Sequence, residues 1–429
     1  MLRYTLLSLL AAPAALASVL PHSPGLAARQ ASTSSDKATA PATNAPVAVQ
    51  ANLDVLNALP FPSGRIGANN ATIFNISLPA EASFDYSGDS SVEAAQDELS
   101  QLQNATVVDY QDGAFSEVAG SIIVERVFNG SNFHEAPVYL PTLKAIFLTP
   151  DEGSMQYLID LNTLTLHNFT AYPPVENING GTYHNGTLYV TTNGGNETNP
   201  AIFAINPATK ESSIVVDNYF GLRFNSLNDI VADSQGNLWF NDPTYGSLNG
   251  MNPNPPQLLP ATYLYNATTK VTKAVVDGLK EPNGLAFSPD QSVLYVSDTG
   301  SSQSSSEPPL AGPRDIYAFD ILNGSFAANR RLFHRNPSGI PDGVKVDSAG
   351  RVWSVFGDAD TGALEVISPD GQLLGLVQFP DLNDGSSVQT TNLVFVPPAE
   401  GETNDTLWVV GGTAVWKISG LQVTGVRIK

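Results

Sequence analysis

The 429-residue chain contains no cysteine. Disulfides, cysteine-ligated zinc sites and cysteine nucleophiles are therefore excluded, and the fold must be stabilised by a sizeable apolar core. Charged residues are also scarce, at 14% of the chain, and only 20 residues are Lys or Arg, which gives a formal net charge of −21. Such a surface repels an anionic polymer, so no nucleic-acid partner is expected, whereas a small neutral ligand or a cation is compatible with it.

Several catalytic signatures are missing or misplaced. There is no G-x-S-x-G elbow of a serine hydrolase, and the five histidines have no zinc-binding spacing. The tripeptide Asp-Thr-Gly occurs at Asp298 and Asp360, as in the two half-sites of an aspartic protease. However, the polar segment SQSSSEPP after the first copy leaves no apolar strand there, and the two copies are too close together for two similar lobes. We therefore reject the protease interpretation.

Long hydrophobic runs are confined to the N-terminus. Residues 1–17 combine Arg3, the apolar stretch 6–10 and the small-residue sequence ALA at 15–17, which is the pattern of a secretory signal peptide. We expect a secreted protein, extracellular or associated with the cell wall, with no membrane partner. Ten N-x-S/T sequons are compatible with N-glycans, at Asn70, Asn75, Asn104, Asn129, Asn168, Asn185, Asn196, Asn266, Asn323 and Asn404.

The composition changes twice after this leader. Residues 18–50 are rich in Ala, Ser, Thr and Pro without periodicity, and we interpret them as a propeptide or flexible linker. Residues 51–107 are mixed, and we expect them to form an N-terminal extension that packs on the following domain. From 108 to 429 short apolar strands alternate with turns, which indicates an all-β catalytic domain.

One hairpin pattern recurs six times in that domain. Each copy has a polar residue, a short apolar strand, a turn and a second apolar strand, as in NGLAFSPDQSVLYV. The copies open with Glu135, Asn179, Asn228, Asn283, Asp342 and Asn392, at intervals of 44 to 59 residues. This spacing predicts a six-bladed β-propeller of four-stranded antiparallel blades, in which a strand from 108–127 closes the ring beside the last blade.

In this fold the six opening residues are expected to lie close together. The first strand of each blade lines the central channel, so the opening residues lie at one height near the channel mouth. All six carry a side-chain oxygen, and two are carboxylates, which suits a hard dication such as Ca²⁺ better than Zn²⁺. The alternative is a set of turn-capping residues that hydrogen-bond to one another. Asp242 and Asp298 end two second strands and are expected near the same mouth, as turn formers or, for Asp298, as a substrate contact.

These motifs carry a family resemblance. The segments FNSLNDIVADSQGNLWFNDPTYG, EPNGLAFSPDQSVLYVSDTG and IPDGVKVDSAGRVW resemble the repeated motifs of the regucalcin/gluconolactonase (senescence-marker-protein-like) family of six-bladed propellers. The segments FHEAPVYLP, NGGTYHNG and NYFGLRFNSLND are similar to the secreted fungal lactonohydrolases of that family, which open aldonate or pantoyl lactones. The resemblance runs from about residue 108 to the C-terminus.

The resemblance implies roles for individual residues. Glu135, Asn283 and Asp342 correspond to ligands of a catalytic divalent metal, and Asn228 corresponds to a residue beside that metal, which we count both as a ligand and as a substrate contact. Asp342 also resembles the family's general base, with Asp229 as the fallback. Some members carry an Arg two residues before the Asn228 position, where this chain has Ser226, so their substrate preference does not transfer.

Together these features predict a calcium-dependent lactonase, with another divalent cation as the alternative metal. A cation that polarises the lactone carbonyl and a carboxylate that assists attack by water would hydrolyse small lactones such as gluconolactone or pantoyl-type lactones to hydroxy acids. Asn179 and Asn228 are expected to hold the substrate, and His134 is a further catalytic candidate beside Glu135. The alternatives are a non-catalytic calcium- or sugar-binding secreted propeller and a strictosidine-synthase-like condensing enzyme. Either a monomer or a homodimer is expected.

Overall fold

The computed structural model consists mainly of short antiparallel strands, grouped into six sheets that follow one another along the chain. It describes residues 105–110, 114–130, 132–150, 152–300, 312–336, 339–358, 361–379, 390–399 and 403–427, together with the short strands 48–50, 72–73 and 76–77. The innermost strands of the six sheets contact one another in a closed circle. The prediction of an all-β six-bladed propeller is confirmed.

Each blade begins at its innermost strand and proceeds outward. Blade 1 contains Glu135–Leu140, Ala145–Thr149, Gln156–Asp160 and Thr165–Phe169, and blade 2 contains Ile178–His184, Thr187–Thr192, Ile202–Ile205 and Ser212–Val216. Blade 3 contains Ile230–Ala232, Leu238–Asp242, Ala261–Tyr265 and Thr272–Val276, and blade 4 contains Pro282–Phe287, Val293–Asp298, Asp315–Leu322 and Phe326–Arg335. Blade 5 contains Pro341–Val346, Val352–Asp358, Thr361–Ile367 and Leu373–Gln378, and blade 6 contains Asn392–Val396, Thr406–Gly411 and Ala414–Ser419.

The N-terminal part of the chain completes blade 6 and extends blade 5. Strand Ile123–Asn129 pairs antiparallel with Ala414–Ser419 and supplies the fourth strand of blade 6. Strand Val107–Asp109 instead pairs with the outer strand of blade 5, and Ala48–Gln50 pairs parallel beside it. The segment predicted as one closing strand, 108–127, is therefore two strands on different blades, separated by the helix Ala114–Ala119.

The other described elements are small. They are the hairpins Thr72–Ile73 with Ile76–Ser77 and Asn218–Tyr219 with Leu222–Arg223, and the short helix Tyr245–Leu248. Among the described residues, neither helix has the length and apolar character needed to cross a membrane. The predicted signal peptide, the linker apart from residues 48–50, and most of the extension 51–107 lie outside the described residues.

The hydrophobic core lies between the blades. Trp239 of blade 3 packs in one cluster with Leu285 and Val296 of blade 4, and equivalent clusters join the other neighbouring blades. Alternation of side chains along each strand gives every sheet two apolar faces to bury, one against each neighbour. The ring of blades therefore needs no disulfide, and its packing fixes where each innermost strand meets the central channel.

Candidate metal centre and active site

The ring of opening residues predicted from the repeat lies where the innermost strands begin. Glu135, Asn283 and Asn392 are buried members of these strands, and Asn228 lies just before its strand. In blades 2, 4 and 5 the pairing register shifts across the opening residue, and in blade 1 it shifts just after that residue. Such a bulge turns a side chain out of the normal alternation of a strand. The same local irregularity therefore orients the opening residue in four of the six blades.

Three glycines set how closely neighbouring innermost strands approach. Gly180, Gly284 and Gly343 each follow an opening residue directly. A Cβ at any of them would fall well inside van der Waals contact with the opening residue of the next blade, namely Asn228, Asp342 and Asn392 respectively. Only glycine allows this approach. The glycines thus keep the ring narrow enough for its side chains to converge.

Hydrogen bonds between blades support the ring from behind. In four blades a polar side chain near the end of the second strand donates to a backbone carbonyl at the opening of the next blade. The donors and acceptors are Thr149 Oγ1 and Ile178 O (3.1 Å), Thr191 Oγ1 and Asn228 O, Asn241 Nδ2 and Asn283 O (2.6 Å), and Ser297 Oγ and Asp342 O (2.9 Å). Each bond satisfies a backbone carbonyl at the opening of the next blade.

Asp242 and Asp298 hold the turns that precede two opening residues. Asp298 accepts hydrogen bonds from the backbone N–H groups of Lys280 and Glu281, both at 2.9 Å. Asp242 accepts in the same way from the two residues that lie three and two positions before Asn228. Both carboxylate oxygens of Asp298 accept hydrogen bonds from backbone amides, which is the turn-forming role that the sequence analysis gave as one alternative. Its substrate-binding role stays a prediction.

The ring members also contact one another. Asn392 Nδ2 donates to Glu135 Oε2 at 2.9 Å, and the Asn283 side chain hydrogen-bonds to Asp342. Asn179 Nδ2 donates to Asn193 Oδ1 at 3.3 Å. These bonds direct amide N–H groups sideways, toward acceptors. The carbonyl oxygen of Asn179 is buried and has no hydrogen-bond partner among the described residues.

The carboxylates of the centre destabilise one another's charge. Burial, together with the negative charge of Asp229, raises the pKa of Asp342 to about 8, against the hydrogen bond from Asn283 and the charge of Lys345. Burial and the charge of Asp342 raise the pKa of Glu135 well above its ordinary value, although His134 and the bond from Asn392 oppose this. Both pKa values are thus raised first by burial and then by a neighbouring carboxylate.

The donor set fits a hard cation. Among the described residues, Asp342 Oδ1 and Asn179 Oδ1 are buried oxygens without a hydrogen-bond partner. A buried acceptor in that state is costly unless a cation or another ligand satisfies it. No three His, Cys, Asp or Glu side chains of the described part converge on a metal position. A metal centre in the described part of the chain would therefore combine carboxylates with amide oxygens, a donor set that suits a hard cation such as Ca²⁺.

The two further catalytic candidates occupy different environments. Asp229 is buried; its Oδ1 accepts from the N–H of Ile230 at 2.9 Å, and its Oδ2 lies 3.6 Å from Lys345 Nζ. His134 is half-buried, and its backbone is tied to Thr149 and Thr391. Its influence on the pKa of Glu135 places its side chain near the ring.

Ser226 lies under a loop rather than at an open substrate surface. It is fully buried, its Oγ donates to Asn193 Oδ1 at 2.8 Å and accepts from the N–H of Gly246 at 2.7 Å. Gly246 belongs to the short helix Tyr245–Leu248, so this helix covers the position where some family members carry an arginine. The departure noted in the sequence thus lies at a buried position that hydrogen-bonds to this helix.

Two residues of the centre escaped the sequence analysis. Asn193 accepts hydrogen bonds from both Asn179 and Ser226 and so links the ring to the covering helix. Lys345 lies beside Asp229 and Asn392, at 3.6 and 3.4 Å from their side-chain oxygens. Lysine occurs at the Lys345 position of the innermost strand only in blade 5, and Asn193 follows the end of a second strand, so no repeated residue type marks either of them. In contrast, the side chains that hydrogen-bond behind the ring do follow a repeated pattern. They occur near the ends of the second strands, in FLT, VTT, FND and VSD, and this repetition in the sequence could have predicted them.

Fold and site together define a six-bladed propeller with a ring of oxygen-bearing side chains where its innermost strands begin. Residues 156–410 match the family model described as the SMP-30/Gluconolactonase/LRE-like region, and the chain belongs to that family. This confirms the resemblance derived from the motifs.

Named relatives cover most of the chain. Lactonohydrolase oryL of Aspergillus oryzae is 31% identical over 344 residues, covering 75% of this chain and 76% of that protein. Lactonohydrolase oryH of the same organism is 28% identical, covering 78% and 85%. The solved structure of a gluconolactonase from Xanthomonas campestris superposes with a TM-score of 0.59 at 26% identity, covering 72% of this chain and 93% of that one. The chain is therefore a member of a family of lactone-hydrolysing enzymes.

Proposed function

We propose that the protein is a secreted, calcium-dependent lactonase that opens small aldono- or pantoyl-type lactones to hydroxy acids. The observation that carries the proposal is the pair of buried oxygens without partners, Asp342 Oδ1 and Asn179 Oδ1, within a ring of oxygen-bearing side chains. The named relatives, which are lactonohydrolases and a gluconolactonase, support the reaction class. Secretion and N-glycans rest on the leader and the sequons of the sequence.

Glu135, Asn228, Asn283 and Asp342 would hold the cation. They lie at the openings of four innermost strands, and the inter-blade hydrogen bonds and glycines described above hold these openings together. A bound dication supplies Lewis-acid polarisation of the lactone carbonyl and stabilises the negative charge that develops on its oxygen. Oxygen ligands and two formal charges from Glu135 and Asp342 match the requirements of Ca²⁺.

Asp342 is the proposed general base. Its Oδ1 is buried and has no partner among the described residues, so it is available to accept the proton of an attacking water. Asp229 is the alternative base, but its Oδ2 already lies against a cation, 3.6 Å from Lys345 Nζ. The geometry therefore favours Asp342.

The carboxamides of Asn179 and Asn228 are proposed to position the substrate. Asn179 Nδ2 donates a hydrogen bond to Asn193 Oδ1. This bond fixes the orientation of the Asn179 carboxamide, with its N–H group toward Asn193. The carbonyl oxygen of Asn179 then accepts a hydrogen bond from a lactone hydroxyl. Buried polar groups built to hydrogen-bond hydroxyls discriminate against analogues that lack them, which suits polyhydroxylated lactones.

The proposal is tested by chelation and metal replacement on a panel of gluconolactone and pantolactone. Ring opening is followed by proton release in a pH-stat after EDTA treatment and after addition of calcium, magnesium or zinc. Loss of hydrolysis on chelation and its recovery with calcium support the proposal. Tight calcium binding without turnover of any lactone on the panel would support the non-catalytic binding alternative instead.

The base is tested separately with Asp342→Asn and Asp229→Asn, with the exposed Asp277→Asn as the matched control. Calcium affinity is measured by calorimetry and hydrolysis under calcium saturation. We expect Asp342→Asn to lose hydrolysis by about 10²-fold or more even when calcium is bound, as for removal of a general base. Undiminished hydrolysis by Asp342→Asn with loss in Asp229→Asn would assign the base to Asp229.

A further inference from the structure

Lys345 lies on the innermost strand Pro341–Val346, three residues beyond Asp342. Its ammonium is 3.6 Å from Asp229 Oδ2 and 3.4 Å from Asn392 Oδ1. Asp229 is buried, whereas about 27% of the Lys345 side chain is exposed. Lys345 is thus a cation placed against the ring of oxygens that is proposed to bind a metal.

The exposed part of Lys345 lines a second compartment of the channel. A cavity of about 470 Å³ is lined by aliphatic residues of the innermost strands, among them Val138, Ile230, Leu285 and Val394, and by Lys345. The methylene groups of lysine pack well on such surfaces while the ammonium reaches a polar neighbour. Lys345 therefore stands between an apolar cavity and the polar centre.

The charges of the centre explain why a cation belongs there. Glu135 and Asp342 are the two carboxylates at strand openings of the ring, and buried Asp229 directly follows the opening residue Asn228 and lies 3.6 Å from Lys345 Nζ. Fully ionised, they carry three negative charges, whereas a single dication supplies two positive ones. Lys345 supplies the third, so one dication and Lys345 together bring the centre to neutrality.

We propose that Lys345 is the resident counter-cation of the centre: its ammonium balances Asp229, closes the channel beneath the ring and occupies space that a second cation would otherwise take. This inference rests on the proposed function in that it assumes one dication in the ring. It assigns Lys345 a positioning role, because the residue acts on the metal and on Asp229 without reacting itself. The ion pair with Asp229 exists whether or not metal is bound.

Two roles for Lys345 predict opposite effects on metal affinity. If Lys345 is a counter-charge, its ammonium repels the dication, and removing it strengthens calcium binding. We expect a decrease in the calcium Kd of at least about tenfold, because a neighbouring unit charge in a partly buried site contributes that much or more. If Lys345 only braces Asp229 and Asn392 mechanically, its removal disorders the centre and weakens binding. The sign of the change therefore separates the two roles.

The experiment compares wild type with Lys345→Met, Lys345→Gln and Lys345→Arg, and with Lys270→Met as an exposed control of the same charge change. Calcium affinity and stoichiometry are measured by calorimetry on EDTA-stripped, dialysed protein, and thermal unfolding is followed with and without calcium. We expect tighter calcium binding and a larger calcium-induced rise in Tm for the Met and Gln variants. The Arg variant and the Lys270 control are expected to bind within about threefold of wild type.

Unchanged or weaker calcium binding in both neutral variants would overturn the inference. The Gln variant keeps a hydrogen-bonding side chain, so it remains informative should the Met variant not fold. If wild type binds no calcium, the proposed function fails. The ion pair is still tested in that case, because the metal-free neutral variants are expected to unfold at lower temperature than wild type at pH 8, and an equal Tm would overturn the inference.

Discussion

Calcium binding to this centre should displace protons, because the ligand Asp342 is protonated at neutral pH when no metal is bound. Its pKa of about 8 means that about 0.9 of the molecules carry the proton on Asp342 at pH 7. Binding at pH 7 should therefore release about 0.9 proton from Asp342, and Glu135, whose pKa is also raised, adds to this. Below pH 8 the calcium Kd should rise about tenfold per pH unit for each such proton, and above pH 8 the Asp342 contribution should level off.

The assay is calorimetric titration of metal-free protein with calcium at several pH values, each in two buffers of different ionisation enthalpy. The difference between the buffers gives the number of protons released. Asp342→Asn keeps an oxygen ligand without a titratable proton, so release at pH 7 should fall by close to one, while Asp277→Asn should release as many protons as wild type. Release below about 0.3 proton at pH 7, with a pH-independent Kd, would refute the reasoning.

The same raised pKa has a defined effect on the metal-free protein. An unfolded Asp ionises near 3.8, whereas folded Asp342 holds its proton until about pH 8. The unfolded state is therefore favoured progressively as pH rises through this window, so the Asp342 contribution to stability is present at acid pH and is lost toward pH 8. Thermal unfolding in EDTA should show this loss in wild type and less of it in Asp342→Asn.

Two further substitutions test how the ring is built. Gly284→Ala places a methyl group against the carbonyl of Asp342, so we expect a loss of about 3 kcal/mol in unfolding free energy by urea denaturation, whereas Gly130→Ala, where there is room, should cost far less. Equal costs would contradict the close approach of the strands. Ser226→Arg forces a long cation beneath Gly246, so we expect lower stability and a lower kcat/KM for gluconolactone. A stable variant with improved kcat/KM would show that the covering helix yields.

The number of blades and the position of the ring could be predicted from sequence because both depend on local signals that repeat. Each hairpin carries its own apolar alternation and turn, and six similar units leave few other architectures. The opening residues were identified from the same alignment. For Asn283 and Asp342 the structure adds the glycine and the bulge that bring their side chains together.

What could not be predicted involves partners that are distant in sequence or unique to one blade. The pairing of Val107–Asp109 with blade 5 joins segments more than 250 residues apart, and no local pattern specifies which edge a lone strand chooses. In the sequence nothing distinguishes Lys345, within KVD, from a surface lysine. It lies beside Asp229 only because the innermost strands of blades 3 and 5 approach each other around the channel. Asp298 could be predicted from the sequence as a turn former. The two backbone amides that donate to its carboxylate, those of Lys280 and Glu281, could be identified only from the fold.

The closure of the ring has a consequence for how the protein is made. The hydrogen bond from Asn392 to Glu135 joins residues 257 positions apart, and strand Ile123–Asn129 finds its partner only in Ala414–Ser419. During synthesis Glu135 leaves the ribosome long before Asn392. The first five blades can therefore be present before the strands of blade 6 have been made. The ring of opening residues therefore closes only after blade 6 has been synthesised, and a nascent chain interrupted before Asn392 carries five of the six ring residues in an open ring.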